Sequence, residues 1–325
     1  MEKSYLPLVS IVIPVYNGAN YVGEAIESAL AQTYEKIEVI VINDGSNDNE
    51  ETEKVISKYI GKIRYIKKEN GGSSSALNCG IDNMTGEWFS WLSHDDLYEP
   101  MKIQMQVECI NQLNLTEKDL YKHFFFTASE LIDSEGKVIR RRNFKREQLL
   151  ASRINQMVGN QYIIAEQSKY NFHGCGCLIH RKAFEEVGRF NESLRLLNDL
   201  DMWYRLYTGG FRLHYVPNVL VKGRVHEKQV SHSIGFSHIN LEQDWYNERS
   251  FQWLLKNYPN DDCLFYLFGK NAYLNSRYLD GDRAFALAAS ISLKKKLILS
   301  IMKSTYCLRA RIRMLAKKIY IAIKL

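Results

Sequence analysis

Four short apolar runs in the first hundred residues, each ending in a loop of small and polar residues, constrain this chain more than any other feature. Val9-Ser10-Ile11-Val12-Ile13 leads to Tyr16-Asn17-Gly18, and Val39-Ile40-Val41-Ile42 leads to Asn43-Asp44-Gly45-Ser46. Ile63-Arg64-Tyr65-Ile66 leads to Asn70-Gly71-Gly72, and Trp88-Phe89-Ser90-Trp91-Leu92 to Ser93-His94-Asp95-Asp96. The ends of the runs fall 24 to 29 residues apart. The first two runs are almost continuously apolar, as strands buried on both faces are. Between them Val22, Ala25, Ile26, Ala29 and Leu30 repeat at i, i+3, i+4, i+7 and i+8, one stripe of a helix. The second gap opens with Asp48 and Glu51, suited to an N-cap and the third helical position. Strand and helix in alternation predict an α/β fold, a mostly parallel sheet with right-handed crossovers. Such sheets bind ligands beyond the carboxyl ends of their strands, and all four polar loops lie there.

A chain of 325 residues, 46% hydrophobic and 25% charged, buries a full core as one large domain or two, which excludes a disordered protein. Cys79, Cys109, Cys175, Cys177, Cys263 and Cys307 show no CxxC pair, so a reducing compartment is expected. The opening stretch lacks the apolar core and cleavage site of a signal peptide. No run of about 18 apolar residues occurs, so nothing is expected to span a bilayer. The absence of GxGxxG after the first run disfavours an oxidoreductase.

The net charge of +6 is unevenly placed: eleven Lys and Arg lie from Arg283 onward without one Asp or Glu, so the preceding residues are net acidic. From Leu293 to Leu325 apolar and basic residues interleave, the composition of a helix lying on an anionic bilayer. A solvated helix packed on the protein is the alternative. No motif accompanies the charge to suggest nucleic acid.

SIVIPVYNG, YVGEAIESALAQTYEKIEVIVINDGSND, NGGSSSALNCG, WLSHDDLYEP and FEEVGRFNESLRLLNDLDMWYRL resemble the family 2 glycosyltransferases of the GT-A fold. The likeness runs from about residue 8 to 231 in one order, which is more specific than any single motif. It implies a GT-A, Rossmann-like, mostly parallel sheet flanked by helices, with a C-terminal helical extension. It also implies a nucleotide-sugar-binding half at 1–105, an acceptor-binding half at 106–235, and a helical extension with a basic tail at 236–325. The reaction implied is transfer of a sugar from a nucleotide-diphosphate sugar, a UDP-sugar, to an acceptor hydroxyl with inversion.

The same resemblance distributes the roles. Pro14, Val15, Tyr16 and Asn17 would surround the base, and Asp44 would accept a hydrogen bond from the pyrimidine ring, although a turn also favours Asp there. Ser75 and Asn78 open a helix after a glycine loop, a generic anion site. Adjacent Asp95 and Asp96 repel unless compensated, and a divalent cation, Mn2+ or Mg2+, fits that need. The family pattern there is Asp-x-Asp-Asp, and Ser93 replaces its first acid. Asp95 is the expected metal ligand, with Asp96 supporting it or binding ribose. Asp199 is expected as the base, with Asn198 in place of the family's Glu. Asp201 and Arg205, four apart, read as an ion pair. Arg224 and His226 fit a segment that closes over the diphosphate, with His226 as a further metal ligand.

His173-Gly174-Cys175-Gly176-Cys177-Leu178-Ile179-His180 gathers two His and two Cys, but its spacing is not that of structural zinc, and a Cys-x-Cys on a strand merely puts both on one face. Residues 143 to 171 read as a loop-rich insertion near the acceptor entrance. Beyond Ser233 the pattern turns helical. A nucleotidyltransferase would carry a cationic Gly-rich loop after the first run, where Tyr16-Asn17-Gly18-Ala19-Asn20 has none. An inert sugar-nucleotide-binding subunit is the remaining alternative, supported by the missing first acid. The expected setting is the cytoplasmic face of a plasma membrane, acting peripherally on a lipid-linked or polysaccharide acceptor in capsule, exopolysaccharide or O-antigen synthesis, with a homo-oligomer left open.

Overall fold

A computed structural model describes residues 5–140, 143–155, 159–166, 172–227, 229, 236–275 and 277–291. The basic segment from 292 on, and with it the expected membrane helix, lies outside the described residues. The chain divides into two compact units, one of residues 1–158 and 172–243 and one of 159–171 and 244–325.

In the first unit the apolar runs become β1 (Val9–Val15), β2 (Ile37–Asp44), β3 (Arg64–Lys68) and β4 (Trp88–Trp91). β1 is buried along its whole length. The order β3-β2-β1-β4 is parallel throughout, so their carboxyl ends share one edge. α1 (Val22–Leu30) buries Val22, Ala25, Ile26 and Ala29 as its stripe predicts. α2 (Glu51–Ser57) starts later than expected: Glu51 is its first residue. The N-cap is Glu50 rather than Asp48, but Asp48, two residues earlier, still satisfies the Thr52 N–H, its Oδ2 accepting at 3.1 Å. α3 (Ser73–Asn83) follows the glycine loop.

The second half of the sheet is mixed. β5 (Leu97–Tyr98) follows the acidic turn, then α4 (Lys102–Gln112) and α5 (Glu117–Leu120) lead into β6 (His123–Ile132) and β7 (Val138–Arg140). β8 (Leu178–His180) inserts antiparallel between β4 and β6, and β9 (Arg212–Arg224) runs parallel to β6 and receives β5. The path is β3-β2-β1-β4-β8-β6-β9-β5, with β7 on β6. β9 thereby returns its carboxyl end to the edge where the first four strands finish.

Residues 143–155 differ from the loop-rich expectation: they form α6 (Phe144–Asn155). Its inner stripe includes the buried Glu147, Ala151 and Ile154, and Glu147 Oε2 accepts from Tyr215 Oη at 2.6 Å. A carboxylate on the inward face hides the helical period from a hydrophobicity pattern. The Cys-x-Cys stretch is also not a strand. Gly174–Gly176 is a single 3-10 turn, and β8 begins only at Leu178.

α8 (Arg181–Val187) and α9 (Asn198–Thr208) complete this unit's described helices before α10 (Phe236–Asn257), which begins in it. The second unit contains α7 (Asn160–Ala165), α11 (Asp262–Leu274) and α12 (Tyr278–Ile291). Phe251 packs on Phe265 and Phe268 there. Among the described residues no helix is long and apolar enough to cross a membrane.

The core beneath the acidic turn holds one ammonium group. Lys102 is fully buried and donates to Ser90 Oγ, to the Cys177 carbonyl at 3.0 Å and to Tyr98 Oη at 3.3 Å. Burial lowers its pKa from 10.5 to about 7. Above about pH 7 the unfolded chain therefore holds a proton that the folded chain has lost, and stability rises with pH until about 10.5. Lys102→Met is expected to remove this rise. In urea melts, wild type should gain about 2 kcal/mol more than the variant between about pH 7 and 9; parallel profiles would refute the assignment.

Candidate active site

Asp44 ends β2 and is buried under the glycine loop. Its carboxylate accepts from Lys68 Nζ at 2.7 Å, from the Gly72 N–H at 2.7 Å and from the Gly71 N–H at 3.1 Å. Asn70 Nδ2 donates to its carbonyl at 2.9 Å. The local turn is held by Asn43 instead, whose Oδ1 accepts from the Ser46 N–H three residues on at 2.9 Å. Asp44 thus anchors the loop that delivers the chain into α3. Pro14 and Val15 are buried at the end of β1, while Tyr16 is exposed. Asn17, at φ 49°, exchanges hydrogen bonds with Asn47, donating through Nδ2 at 2.8 Å and accepting from the Asn47 N–H at 2.8 Å. Gly18 lies against His94, where a Cβ would fall 2.4 Å from the ring. The first, second and fourth polar loops therefore meet.

Ser75 is partly exposed on the first turn of α3. Asn78 is not available as the sequence suggested. Its amide donates to the Phe190 carbonyl at 2.9 Å and Glu192 Oε1 at 2.8 Å, and its oxygen accepts from the Phe190 N–H at 2.9 Å. It fastens α3 to the loop before α9. Asn198 makes a second tie, donating to Ser74 Oγ at 3.0 Å.

The two acids of the Ser93-His94-Asp95-Asp96 turn face different partners. Asp95 Oδ2 lies 3.1 Å from His226 Nε2, and Gln229 Nε2 approaches it at 3.5 Å. Burial opposes the Asp95 charge, but His94 and the His226 bond outweigh it and hold the carboxyl below its usual range. Asp96 accepts from the Arg224 N–H at Oδ1, 2.8 Å, and turns Oδ2 towards Cys175 Sγ at 3.1 Å and His173 Nε2 at 3.7 Å. Burial pushes its carboxyl up, and the Asp95 charge adds to that push. The expected support of Asp95 by Asp96 on one ion is therefore replaced by two separate clusters. A divalent cation fits Asp95 and His226. The pair offers one hard oxygen and one imidazole at a spacing that two ligands of one ion keep, and Asp95 is held in its charged form.

Arg224, expected over a diphosphate, is walled in. Nε donates to the Asp95 carbonyl at 2.9 Å, one terminal nitrogen reaches the carbonyls of Ser134 at 3.0 Å and Asp133 at 3.4 Å, and the other reaches Glu24 Oε2 at 2.7 Å. Its guanidinium carbon lies over the Tyr21 ring, 4.4 Å from the centroid. The closing segment thus keeps His226 near the acids and uses Arg224 as its brace.

Asp199 stands in the first turn of α9, partly exposed, its Oδ1 accepting from the Leu200 N–H at 2.7 Å. Burial pushes its carboxyl up to about 6, against the pull of that bond and of His173. His173 thus interacts with both Asp199 and Asp96. Asp201 pairs with Arg205 at 2.8 Å as its spacing predicts, and Arg205 also caps α8 through the Gly188 carbonyl at 3.1 Å. Sequence reasoning missed Lys68 and Glu24, and it set His173 aside with the Cys-x-Cys stretch. A basic residue two before the glycine loop was the one available signal for Lys68, and tertiary contact alone reveals the others.

The parallel half-sheet with its polar loops, acidic turn and distant carboxylate on one edge is the setting in which a glycosyltransferase fold is recognised. The glycosyl transferase family 2 model matches residues 10–188, more than half of the sequence, and the chain belongs to that family. It is 48% identical over 230 residues to an uncharacterized glycosyltransferase of Rickettsia felis, covering 71% of this chain and 36% of that one. It therefore spans about a third of that relative's length. A chondroitin synthase of Pasteurella multocida is 36% identical over 208 residues, 62% of this chain and 19% of the synthase. S. aureus TarS 1-349, solved in complex with UDP-GlcNAc, superposes with a TM-score of 0.59 at 15% identity, over 89% of this chain and 82% of that one. This last likeness is one of fold.

Arg224→Lys should test the brace. A lysine keeps the charge but cannot replace the fork of donors. Leaving these buried acceptors unpaired is expected to cost about 3 kcal/mol in denaturant melts. A loss under about 0.5 kcal/mol would mean that the contacts carry little of the stability.

Proposed function

We propose that the chain is an inverting glycosyltransferase that moves a sugar from a UDP-sugar to a hydroxyl of a lipid-linked or polysaccharide acceptor. The observation that carries this reading is Asp199. Its carboxyl sits partly open in the first turn of α9, within the influence of His173, and burial pushes its pKa up to about 6, the range that suits a general base at neutral pH.

In this reading the acceptor hydroxyl gives its proton to Asp199. Its oxygen pair bonds to the anomeric carbon as the bond from that carbon to the diphosphate oxygen breaks, and the bonding electrons leave with the nucleoside diphosphate. Attack opposite the leaving group inverts the centre. Asp95 and His226 would hold a Mn2+ or Mg2+ ion, which when bound neutralises charge on the leaving diphosphate. The loops at Pro14, Val15, Tyr16 and Asn17 would seat the base, and Asp44 would shape that pocket through the Asn70-Gly71-Gly72 loop. Ser75, at the start of α3, would face the donor.

The UDP-GlcNAc complex of the TarS neighbour supports a uridine donor, and the Pasteurella relative supports a polysaccharide product. The basic C-terminal sequence supports peripheral work at the inner face of a plasma membrane.

Asp199→Asn is expected to lower kcat at least about 100-fold while a UDP-sugar still raises the melting temperature. Loss of the thermal shift as well would assign Asp199 a binding or structural role. In wild type, kcat/KM should fall as pH drops below about 6, because the base must be deprotonated. If no UDP-, GDP- or dTDP-sugar raises the melting temperature with Mn2+ present, the donor class is wrong.

A further inference from the structure

Three metal-ligating side chains converge on the far side of the acidic turn, on atoms that the Asp95 and His226 pair does not use. Asp96 Oδ2 lies 3.1 Å from Cys175 Sγ and 3.7 Å from His173 Nε2, and the three donor atoms lie within 4.8 Å of one another. Among the described residues this is the one such group of three. Asp96 and Cys175 are buried, and His173 keeps an open flank.

The group is held in place by its surroundings. The Arg224 N–H fixes Asp96 Oδ1 at 2.8 Å, and the Ser93 N–H donates to Cys175 Sγ at 3.2 Å. Gly223 makes room for the imidazole, since a Cβ there would stand 2.9 Å from His173 Nε2. The 3-10 turn at Gly174–Gly176 brings His173 and Cys175 to one side, and the third donor comes from the acidic turn.

We propose that Asp96, His173 and Cys175 bind a thiophilic divalent cation, Zn2+ before others, at a site separate from Asp95 and His226. Bonds of about 2.0 Å to oxygen and nitrogen and about 2.3 Å to sulfur, set tetrahedrally, keep ligand atoms about 3.3 to 3.6 Å apart. The two separations straddle that range, so small side-chain movements complete the site. A thiolate selects against Mg2+ and Mn2+, which prefer all-oxygen shells. Three protein ligands leave a fourth position for water. On binding, the Cys175 thiol releases its proton to solvent. The imidazole proton moves from Nε2 to Nδ1, giving up the long 3.4 Å bond that Nδ1 accepts from the Cys175 N–H. The ion then staples the turn at 173–176 to the turn at 93–96. The inference stands independently of the transferase reading.

Cobalt titration of the full chain, first stripped with a chelator, tests it directly. One equivalent of Co2+ should bring the strong visible bands of a tetrahedral site and a near-ultraviolet thiolate-to-cobalt band, displaced by Zn2+ but not by excess Mg2+. Cys175→Ser should abolish the thiolate band, and His173→Ala should weaken binding about 100-fold. Cys177→Ser and His226→Ala should leave the spectrum intact. A weak octahedral spectrum, or a thiolate band that survives in Cys175→Ser, overturns the proposal. X-ray absorption of the zinc-loaded wild type gives an independent readout that does not depend on a variant folding. A single sulfur neighbour supports the site, and none overturns it.

Discussion

The buried guanidinium of Arg224 is the interaction on which the candidate site most depends. A desolvated cation is tolerated only when its donors are matched, and four of its five N–H groups meet Asp95, Asp133, Ser134 and Glu24. Its own backbone N–H adds Asp96. One side chain therefore joins the end of β9, the acidic turn, the β6–β7 connection and α1. His226, two residues further, stands against Asp95 because Arg224 has already fixed the direction of the chain. A motif residue assigned to ligand contact proves to be the frame for its neighbours.

The acids of the site differ in how tightly the protein holds them. Asp44 is saturated by Lys68 and two backbone N–H groups, so its effect is to fix a loop. Asp96 is divided between the Arg224 N–H and the thiol of Cys175. Asp95 has imidazole partners that keep it charged, whereas Asp199 has one backbone donor and an unfavourable surrounding that keeps it basic. Rigid carboxylates shape the edge, and the less satisfied ones retain capacity for chemistry.

β1, β2, β4 and α1 were legible because their burial is two-sided or strictly periodic, and those are the patterns that a sequence displays directly; β3, which has no buried residue, was legible from its place in the alternation of strand and helix. The ion pair of Asp201 and Arg205 was legible for the same reason, since both partners sit on one helix. α6 was not, because Glu147 occupies its inward face and owes its place to Tyr215, sixty-eight positions on. The Cys-x-Cys stretch was misread as strand for want of any local mark of the 3-10 turn. The candidate site was legible as a set of loops. Its division of labour was not, since Asn78 and Arg224 look like ligands in the sequence and are committed to Phe190, Glu24 and three carbonyls in space.

The insertion of β8 between β4 and β6 has a consequence for how the chain is made. β4 completes the parallel half of the sheet, yet the strand that covers its open side is synthesised roughly ninety residues later. At the usual pace of translation that interval lasts from about five to about twenty seconds. Throughout it the nascent chain exposes the ladder groups of Trp88 and Phe89, an edge open to pairing with another polypeptide.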